Sequence, residues 1–343
     1  MSKIHFLQVK HGDAFVIECN KGGAHGVIVV DGGPLGCGYV LQNKLKQIGI
    51  PDLMILSHYD DDHIGGIIQL VSTCRDNSAI PAKRIWANCA GHIEMAADKT
   101  TSAKQGAKLS ELLNKMAETE QLEWHDDISE GYEEDLSFAT IEVLSPTKEV
   151  LGMVIQRQEE EGAQLLKATR RNLEDLKTPL EDLAKHIPDV PNLEKANELA
   201  NAASIAFILR CEYMTILMLG DSYPQNVEDY LRGKGYSEEH PLVVDYVKVS
   251  HHGSRNNTSN SLLDIIKCNK YLISTNGGKN RSNHPDRTAI AHILCHPKRN
   301  IEEKVHLFFN HKIDLIVTNG APFLNEGEKE IWNFEVHDNI TEL

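Results

Sequence analysis

Short apolar runs separated by polar turns dominate the first 60 residues. The segments KIHFLQVK, AFVIECN and GVIVVDGG are joined by glycine-rich turns and predict three successive strands. The run DLMILS is short and apolar, as in a buried strand. The polar stretch SHYDDDHIGG at 57–66 begins where that run ends, so it lies in the loop after a strand. Loops at strand ends are where sites are usually built.

Strand and helix patterns alternate through the rest of the chain. Helices are predicted for YVLQNKLKQIG, IGGIIQLVSTC, 102–122, NVEDYLRGKG, 259–268 and DRTAIAHILC. Strands are predicted for RIWANC, ATIEVLSP, SIAFILRC, MTILMLGD, VVDYVKVS, KYLIST, KVHLFFN, DLIVTN and KEIWNFEVHD. Residues 147–200 are charged and helical with three prolines, which predicts a helical insertion or cap within a single domain spanning 1–343. The alternation favours an α/β fold with sheets covered by helices.

Charge and composition narrow the class of protein. The chain has 343 residues and a formal net charge of -15, from 50 acidic and 35 basic side chains, so it is not a bulk electrostatic binder of nucleic acid or anionic membranes. Seven scattered cysteines without CxxC spacing argue against a disulfide framework or a zinc finger. The start MSKIHFLQVK has no signal-peptide core, and no run is long enough to span a bilayer. We therefore predict a cytoplasmic protein without a membrane association.

The stretch at 57–66 combines two histidines with three consecutive aspartates. Neighbouring carboxylates repel each other, so a cation is what makes the cluster favourable. The alternate residues His58, Asp60 and Asp62 can turn inward together, and His63 directly after them can reach a second ion. Imidazole and carboxylate together suit Zn, Mn or Fe. The stretch therefore predicts a metal site.

Three further clusters follow apolar strands. LMLGDS ends at Asp221, VKVSHHGSRNNTS carries His251 and His252, and STNGGKNRSNHP carries His284. In α/β sheets, the carboxyl ends of the strands form the edge where ligand sites lie. The sequence thus predicts that all four clusters meet at one edge.

The order of these clusters resembles the metallo-β-lactamase fold superfamily. Its pattern is HxHxDH, a later histidine, a bridging aspartate after a strand and a final histidine; the first motif here is HYDDDH. The sequence is most similar to the metallo-β-lactamase-like domain of ComEC-type DNA-uptake proteins and their stand-alone relatives, which show HxDxDHxGG, GD, HHGS and HP. Their opening V-x-x-G-D-A stretch and DGG turn are matched by VKHGDA at 9–14 and VVDGG at 29–33. The resemblance covers roughly 4–295.

This resemblance implies an αββα sandwich with a helical insertion and two divalent ions, Zn or Mn, at the sheet edge. The implied ligands are His58 and Asp60 for the first ion, Asp62, His63 and His284 for the second, and Asp221 as the bridge between them. Asp61 falls on a non-ligand position and is expected to face solvent or a supporting partner.

Two positions depart from the family pattern. Asp60 replaces the usual second histidine, and its harder oxygen shifts the preference toward Mn or Mg relative to Zn. The family's middle histidine has no clear match. By position, His92 and His125 are candidates, although a surface role is expected for both, and His251 is available to fill the gap.

The SHHGS motif is similar to a strand-end motif of RNase Z-like phosphodiesterases. By this analogy, one of His251 and His252 contacts the phosphate or protonates the leaving group while the other supports it. The implied catalytic set is Asp62, Asp221, His251 and His252. The implied substrate contacts are Ser254, Lys279, Asn280 and Arg281.

The leading hypothesis is a binuclear phosphodiesterase or nuclease that uses a metal-bridging hydroxide. The negative charge of the chain argues against a nonspecific grip on duplex DNA. It fits better an enzyme that cuts a nucleic acid or nucleotide substrate at ends or in single strands, or one that a protein partner recruits. The first alternative is a hydrolase of a small nucleotide, thioester or lactone with the same centre. The second is a binding or regulatory subunit with a degenerate site, against which the near-complete ligand set argues.

Overall fold

Two β-sheets packed face to face form the centre of the protein. The computed structural model describes residues 1–77, 79–88, 101–118, 122–160, 173–278, 284–316, 318 and 320–343. The first half of the chain contributes β1 (Lys3–Phe6), β2 (Phe15–Lys21), β3 (Ala24–Val30), β4 (Leu53–Leu56), β5 (Arg84–Ala87) and β6 (Glu123–His125). They form a six-stranded sheet in sequence order, antiparallel from β1 to β3 and parallel from β3 to β6.

The second half of the chain builds an eight-stranded sheet. Its strands are β7 (Glu133–Asp135), β8 (Thr140–Ser145), β9 (Ala206–Arg210), β10 (Thr215–Met218), β12 (Tyr246–Lys248), β14 (Lys270–Ile273), β15 (Val305–Phe309) and β16 (Phe334–His337). A separate two-stranded sheet is formed by β11 (Leu242–Val243) and β13 (Ile266–Lys267). The order in the eight-stranded sheet is β16-β15-β14-β12-β10-β9-β8-β7. Pairing is antiparallel from β7 to β10 and parallel from β10 to β16. In both sheets the parallel strands therefore end at a common edge.

Alternating side chains of the strands fill the space between the sheets. Phe15 and Trp86 of the first sheet pack with Phe207 and Ile216 of the second, and all four are fully buried. The opposite face of each strand turns outward, as a period of two requires. Each sheet therefore needs a covering layer on its outer side.

Helices supply that covering layer. The helices are α1 (Gly38–Ile48), α2 (Asp61–Asp76), α3 (Thr101–Ala117), α4 (Lys148–Glu160), α5 (Leu180–Leu183), α6 (Ala196–Ala202), α7 (Pro224–Gly233), α8 (Asn260–Leu263), α9 (Arg287–Leu294) and α10 (Glu326–Trp332). α1, α2 and α3 pack on the first sheet, for example through Leu41, Ile67 and Leu112. α7 and α9 pack on the second, for example through Val227 and Ile290. The layers are α, β, β and α, as predicted.

The segment 147–200 contains α4, α5, most of α6 and a 3-10 turn at Leu173–Leu176. α4 and α6 pack together around Val154 and Leu199 and against Tyr223. Its role as a cap stays a prediction. None of the helices within the described ranges is long and apolar enough to cross a membrane.

Three predictions about single elements were wrong. DLIVTN at 314–319 was expected to be a strand, but Ile313–Leu315 form a 3-10 turn, because β14 and β16 already occupy both edges of β15. The helix expected at 259–268 ends at Leu263, after which the chain enters β13. KEIW was expected to begin a strand, but it ends α10.

A capping box explains the helical KEIW segment. The Asn325 side chain accepts from the Glu328 amide, and the Glu328 carboxylate accepts from the Asn325 amide. This reciprocal pair starts a helix at Glu326. Asn333 in the left-handed conformation ends it, and β16 begins at the next residue.

Candidate metal centre

The candidate site lies where strands of the two sheets end next to each other. β4 leads into Ser57 and His58, and Asp60 caps the start of α2. β10 leads into Asp221 across the interface, and β12 leads into a 3-10 turn at Ser250–Gly253. The atoms Nε2 of His63 and Oδ1 of Asp221 are 3.4 Å apart, so the two sheets meet within this site.

Three groups of metal-ligating side chains found in the described residues share His63; the group with Asp13 and Asp31 lies behind its ring, and the other two face the centre. One contains His58, His63 and Asp221, and the other contains Asp62, His63 and His252. Within each group, the donor atoms lie within 4.8 Å of one another. In the second group, His252 Nε2 is 3.3 Å from Asp62 Oδ2. The structure therefore brings Asp62, His63 and Asp221 together with His58 from the first half of the sequence and His252 from the second.

The donor atoms that face each other lack other partners. Nε2 of His58, His63 and His252 and Oδ1 of Asp221 are buried and have no hydrogen-bond partner among the described residues. Buried polar atoms are normally hydrogen-bonded, and leaving one unsatisfied costs about 1–3 kcal/mol. Three imidazole nitrogens and a carboxylate oxygen form a donor set that fits Zn or Mn. These side chains thus fit a divalent cation.

Nδ1 of each buried histidine lies within hydrogen-bonding distance of an oxygen on the side of the ring away from the other ligands. Nδ1 of His63 is 2.9 Å from Asp31 Oδ2, and Nδ1 of His252 is 3.0 Å from the Ser274 carbonyl oxygen. Nδ1 of His58 is 3.1 Å from the Ser57 hydroxyl. A proton held on Nδ1 leaves the lone pair of Nε2 free for a metal.

Sequence reasoning gave no role to Asp13 or Lys248. The Lys248 side chain is fully buried, its ammonium contacts the Asp13 carboxylate, and it donates to the Gly220 carbonyl oxygen at 2.9 Å. Its Nζ is 3.7 Å from Asp221 Oδ1, and Asp13 Oδ1 is 3.3 Å from Nδ1 of His252. The available signal was a lysine inside the apolar strand that leads to the double histidine.

The carboxylates make the centre strongly attractive to cations. Burial lowers the pKa of His252, but the charges of Asp13 and Asp221 outweigh it and raise that pKa to about 10. Burial likewise opposes protonation of His63, yet Asp221 and Asp31 raise its pKa well above the ordinary value. Without a metal, protons occupy these imidazoles, so metal binding releases them.

His251 and His252 occupy different positions. The His252 side chain is 2% exposed and belongs to a ligand group, whereas the His251 side chain is 25% exposed. His251 Nε2 is 3.6 Å from Asp221 Oδ2, and its Nδ1 is 3.1 Å from Oδ1 of Asn257. The amide of Asn257 donates to the Asp221 and Ser222 carbonyls, which turns its oxygen toward His251. Of the pair, His251 is the one that a substrate can reach.

The two histidines have a backbone conformation that is uncommon for side-chain-bearing residues. His251 has φ 49° and ψ 48°, and His252 has φ 53° and ψ 20°. The left-handed region costs roughly 1–2 kcal/mol per residue. The His251 amide donates to the Gly220 carbonyl at 3.0 Å, and the Ser250 hydroxyl donates to the Ser222 carbonyl at 2.6 Å. These bonds hold a strained turn that directs both rings to Asp221 and its neighbours.

Asp60 and Asp61 differ in their distance from the ligand groups. Asp60 Oδ2 is 3.8 Å from His58 Nε2, which places Asp60 beside the first ligand group. Asp61 instead accepts a hydrogen bond from Gln105 Nε2 at 2.6 Å and belongs to neither group. The non-ligand position expected for Asp61 agrees with this contact to α3.

Other predicted site residues lie elsewhere. His284 was expected to be a ligand of the second ion, and this assignment stays a prediction; in the structure it is His252 that lies next to Asp62. His284 Nδ1 is 3.4 Å from Asp286 Oδ2, and its ring centroid is 5.0 Å from that of His251. Nε2 of His125 is 2.7 Å from the Glu123 carboxylate on β6. Ser254 is buried directly after the 3-10 turn, whereas His92, Lys279, Asn280 and Arg281 lie outside the described residues.

Close backbone contact explains the paired glycines that follow His63. A Cβ on Gly66 would lie 1.9 Å from the Gly32 carbonyl oxygen, so α2 packs directly against the DGG turn. The amide of Gly32 donates to the His63 carbonyl at 2.9 Å, and this close packing places Asp31 behind the ring of His63.

We expect Gly66→Ala to destabilise the protein by at least about 2 kcal/mol, because backbone must move to admit the methyl group. Urea denaturation with a chelator present measures the effect without metal. The matched control is Gly152→Ala on α4, where the added Cβ meets nothing within 4 Å. That change should be stabilising by about 0.5–1 kcal/mol. Equal effects of the two substitutions would contradict the packing argument.

The layers and the strand order confirm the predicted fold class, an α/β αββα sandwich. No family model matches the sequence, and no curated protein matches it. Among solved structures, the chain is similar to the metallo-β-lactamase fold protein YhfI from Bacillus subtilis, at 12% identity over 100% of this chain and 98% of that chain, with a TM-score of 0.43.

Two further solved structures show a similar degree of likeness. A diphosphatase from the PhnP family is 11% identical over 100% of this chain and 97% of that chain, with a TM-score of 0.42. Zn2+-bound PqqB from Methylobacterium extorquens is 10% identical over 99% of each chain, with a TM-score of 0.40. Identities and TM-scores this low say nothing about the substrate or chemistry of this chain.

Proposed function

We propose that the chain is a metal-dependent hydrolase that holds two divalent ions and cleaves a phosphodiester in a nucleic acid or nucleotide. The observation that carries the proposal is the position of Asp221. Its Oδ1 lies 3.4 Å from Nε2 of His63, while its Oδ2 lies 3.9 Å from Nε2 of His58 and 3.6 Å from Nε2 of His251. A carboxylate with a different histidine at each oxygen is suited to bridge two ions.

The surrounding side chains divide between the two oxygens of Asp221. On the Oδ2 side are His58, Asp60 and His251; on the Oδ1 side are His63, Asp62 and His252. In this arrangement His251 fills the place of the family's middle histidine. His252 takes the place that the sequence assigned to His284.

The charge of the centre favours the binding of cations. Five carboxylates lie in or directly behind it, and the ammonium of Lys248 opposes them. The five are Asp13, Asp31, Asp60, Asp62 and Asp221. Without metal, protons on His63 and His252 compensate part of this charge. Divalent ions held at Asp221 would replace those protons and supply the compensation that a largely buried site requires.

Two divalent ions held there supply an acidified water and neutralise the charge that develops on a phosphate. The protein's own groups set the geometry. Asn257 fixes the ring of His251 on the accessible side, and Asp31 and the Ser274 carbonyl fix His63 and His252 behind it. Substrate therefore approaches from the side of His251. The motif resemblance to ComEC-type domains supports a nucleic acid as that substrate.

The position of α6 favours a second candidate, a hydrolase of a small substrate. Near the end of α6, Asn201 Nδ2 is 3.5 Å from Nδ1 of His251. Just after it, the Ser204 hydroxyl is 3.2 Å from Nδ1 of His58. Residues directly following the insertion thus contact the histidines of the first ion. An insertion held so close to the site would limit substrate size.

A substrate panel combined with metal analysis tests both candidates. We expect two equivalents of Zn or Mn per chain by elemental analysis, and turnover of bis-p-nitrophenyl phosphate. Single-stranded DNA, RNA, cyclic dinucleotides, thioesters and lactones are then compared at equal enzyme concentration. Turnover of thioesters or lactones alone would refute the phosphodiesterase proposal. One ion per chain would refute the binuclear arrangement, and two ions without any turnover would favour a regulatory subunit.

A further inference from the structure

We propose a second metal site on the outer strands of the second sheet, formed by His306 on β15 and by Glu335 and His337 on β16. These three residues are named the edge cluster. The strands run parallel, with His306 opposite Glu335 and Phe308 opposite His337. Because side chains alternate along a strand, all three residues of the cluster lie on one face. The cluster shares no residue with the candidate centre, so the inference does not rest on the proposed function.

The donor atoms of the edge cluster already lie at distances suited to a common ion. Nδ1 of His306 and Nε2 of His337 are 2.9 Å apart, and Oε2 of Glu335 is 3.9 Å from Nδ1 of His306. All three atoms lie within 4.8 Å of one another. Two imidazole nitrogens bound to one tetrahedral Zn2+ at about 2.0–2.1 Å are about 3.3 Å apart, close to the distance found here. Binding therefore needs little movement of either ring.

Stacking holds the two imidazoles in this arrangement. The rings of Phe308 and His337 have centroids 4.6 Å apart and planes 14° apart. The rings of His306 and His337 have centroids 5.2 Å apart and planes 27° apart. Ordering a free side chain before binding costs conformational entropy, and here that cost is already met in the folded protein. This preorganisation favours metal affinity over that of a random pair of exposed histidines.

The edge cluster is accessible to a metal from solvent. His306 lies next to both His337 and Glu335. Its side chain remains 27% exposed, which leaves access from solvent. The Lys304 ammonium lies 3.6 Å from Oε2 of Glu335 and competes with a metal for that carboxylate.

The donor set indicates the class of ion. Two imidazoles and one carboxylate suit Zn2+, Ni2+, Co2+ or Cu2+, whereas Mg2+ and Ca2+ prefer an all-oxygen shell. Three protein ligands leave at least one position for water or another ligand. An ion bound by both strands would fasten β16, the outermost strand of the sheet, to β15. Above its Kd it would stabilise the native state by an amount that rises with the logarithm of its concentration.

Calorimetric titration with Zn2+ tests the site in the full chain. We expect wild-type protein to bind one more equivalent than His306→Gln or His337→Gln. Loss of an outer partner of a metal ligand typically costs about 10–100-fold in affinity, and loss of a direct ligand should cost at least as much. The matched control is His125→Gln, because His125 has a glutamate 2.7 Å away but belongs to no group of metal-ligating side chains found in the described residues. This control should bind as many equivalents as wild type.

Two measurements separate a metal site from a plain imidazole–imidazole hydrogen bond. Lys304→Gln removes the competing cation and should tighten Zn2+ binding severalfold at the edge site, which a purely structural pair does not predict. The Zn2+-induced rise in Tm should shrink in His337→Gln by the same amount in wild-type and Asp62→Asn backgrounds. Equal stoichiometry and equal Tm shifts in wild type, His306→Gln and His337→Gln would overturn the proposal. The test compares wild type with variants of the edge cluster alone. It can therefore be interpreted even if the candidate centre binds no metal.

Discussion

We expect Asp62→Asn to lower the proposed hydrolysis about a thousandfold and Asp61→Asn to leave it close to the wild-type level. The two aspartates are neighbours at the start of α2, and both substitutions replace a carboxylate by an amide of the same shape. Asp62 Oδ2 faces Nε2 of His252 at 3.3 Å in a ligand group, while Asp61 accepts from Gln105 outside it. A metal supplies several kcal/mol of transition-state stabilisation, so a loss of about 4 kcal/mol, or a thousandfold in kcat/KM, is expected for Asp62→Asn.

The measurement is steady-state turnover of bis-p-nitrophenyl phosphate with Mn2+ or Zn2+, with metal content determined on the same samples. Asp62→Asn should also retain fewer ions than Asp61→Asn. Asp61→Asn is the matched control, because it makes the same change at the adjacent position. Any general effect on the loop or on the start of α2 should appear in both variants. Comparable turnover by both variants would refute the role of Asp62 in holding metal.

Lys248→Met lowers the stability of the metal-free protein by about 3–5 kcal/mol. Lys248 is fully buried, and burial lowers its pKa, yet the carboxylates of Asp13 and Asp221 raise it above the ordinary value. The ammonium is therefore charged inside the protein. Removing it leaves the equally buried Asp13 with His252 as its remaining cationic neighbour, and loss of one partner of a buried ion pair is strongly destabilising.

Urea denaturation in the presence of a chelator measures this effect. The double variant Asp13→Asn/Lys248→Met removes both charges and should be less destabilised than the sum of the two single variants. Lys185→Met is the control, because Lys185 and Asp182 are 2.6 Å apart on the surface with exposed side chains. Exposed pairs contribute about 0–1 kcal/mol. A loss under about 1 kcal/mol for Lys248→Met would show that the buried pair does not support the centre.

The positions of the main site residues could be predicted because each follows an apolar strand. His58, Asp221 and His251 all occupy strand ends, and a parallel sheet brings such ends to one edge. The αββα layers could be predicted from the same alternation of strands and helices. Hydrophobic patterns reflect local structure. They show at which end of a strand or helix a residue lies, but they do not determine which distant side chains it contacts.

Contacts between distant segments account for what was missed. Lys248 is an isolated charge within a strand until folding places Asp13 and Gly220 beside it. The proximity of His252 to Asp62 depends on left-handed φ angles at His251 and His252, which no side-chain pattern predicts. The strand expected at 314–319 had suitable residues, but both edges of β15 are already paired with β14 and β16, and this pairing is a property of the whole sheet.

The centre is divided between the two halves of the chain. His58, Asp62 and His63 come from the half that forms the first sheet, and Asp221 and His252 come from the half that forms the second. The two groups that contain Asp221 or His252 each draw side chains from both halves, so an ion bound by either group would cross-link the halves. At a free metal concentration 100 times Kd, such linkage adds about 2.7 kcal/mol against their separation. Parting of the two sheets should therefore release the ion, so that global unfolding of the metal-bound protein is accompanied by metal release.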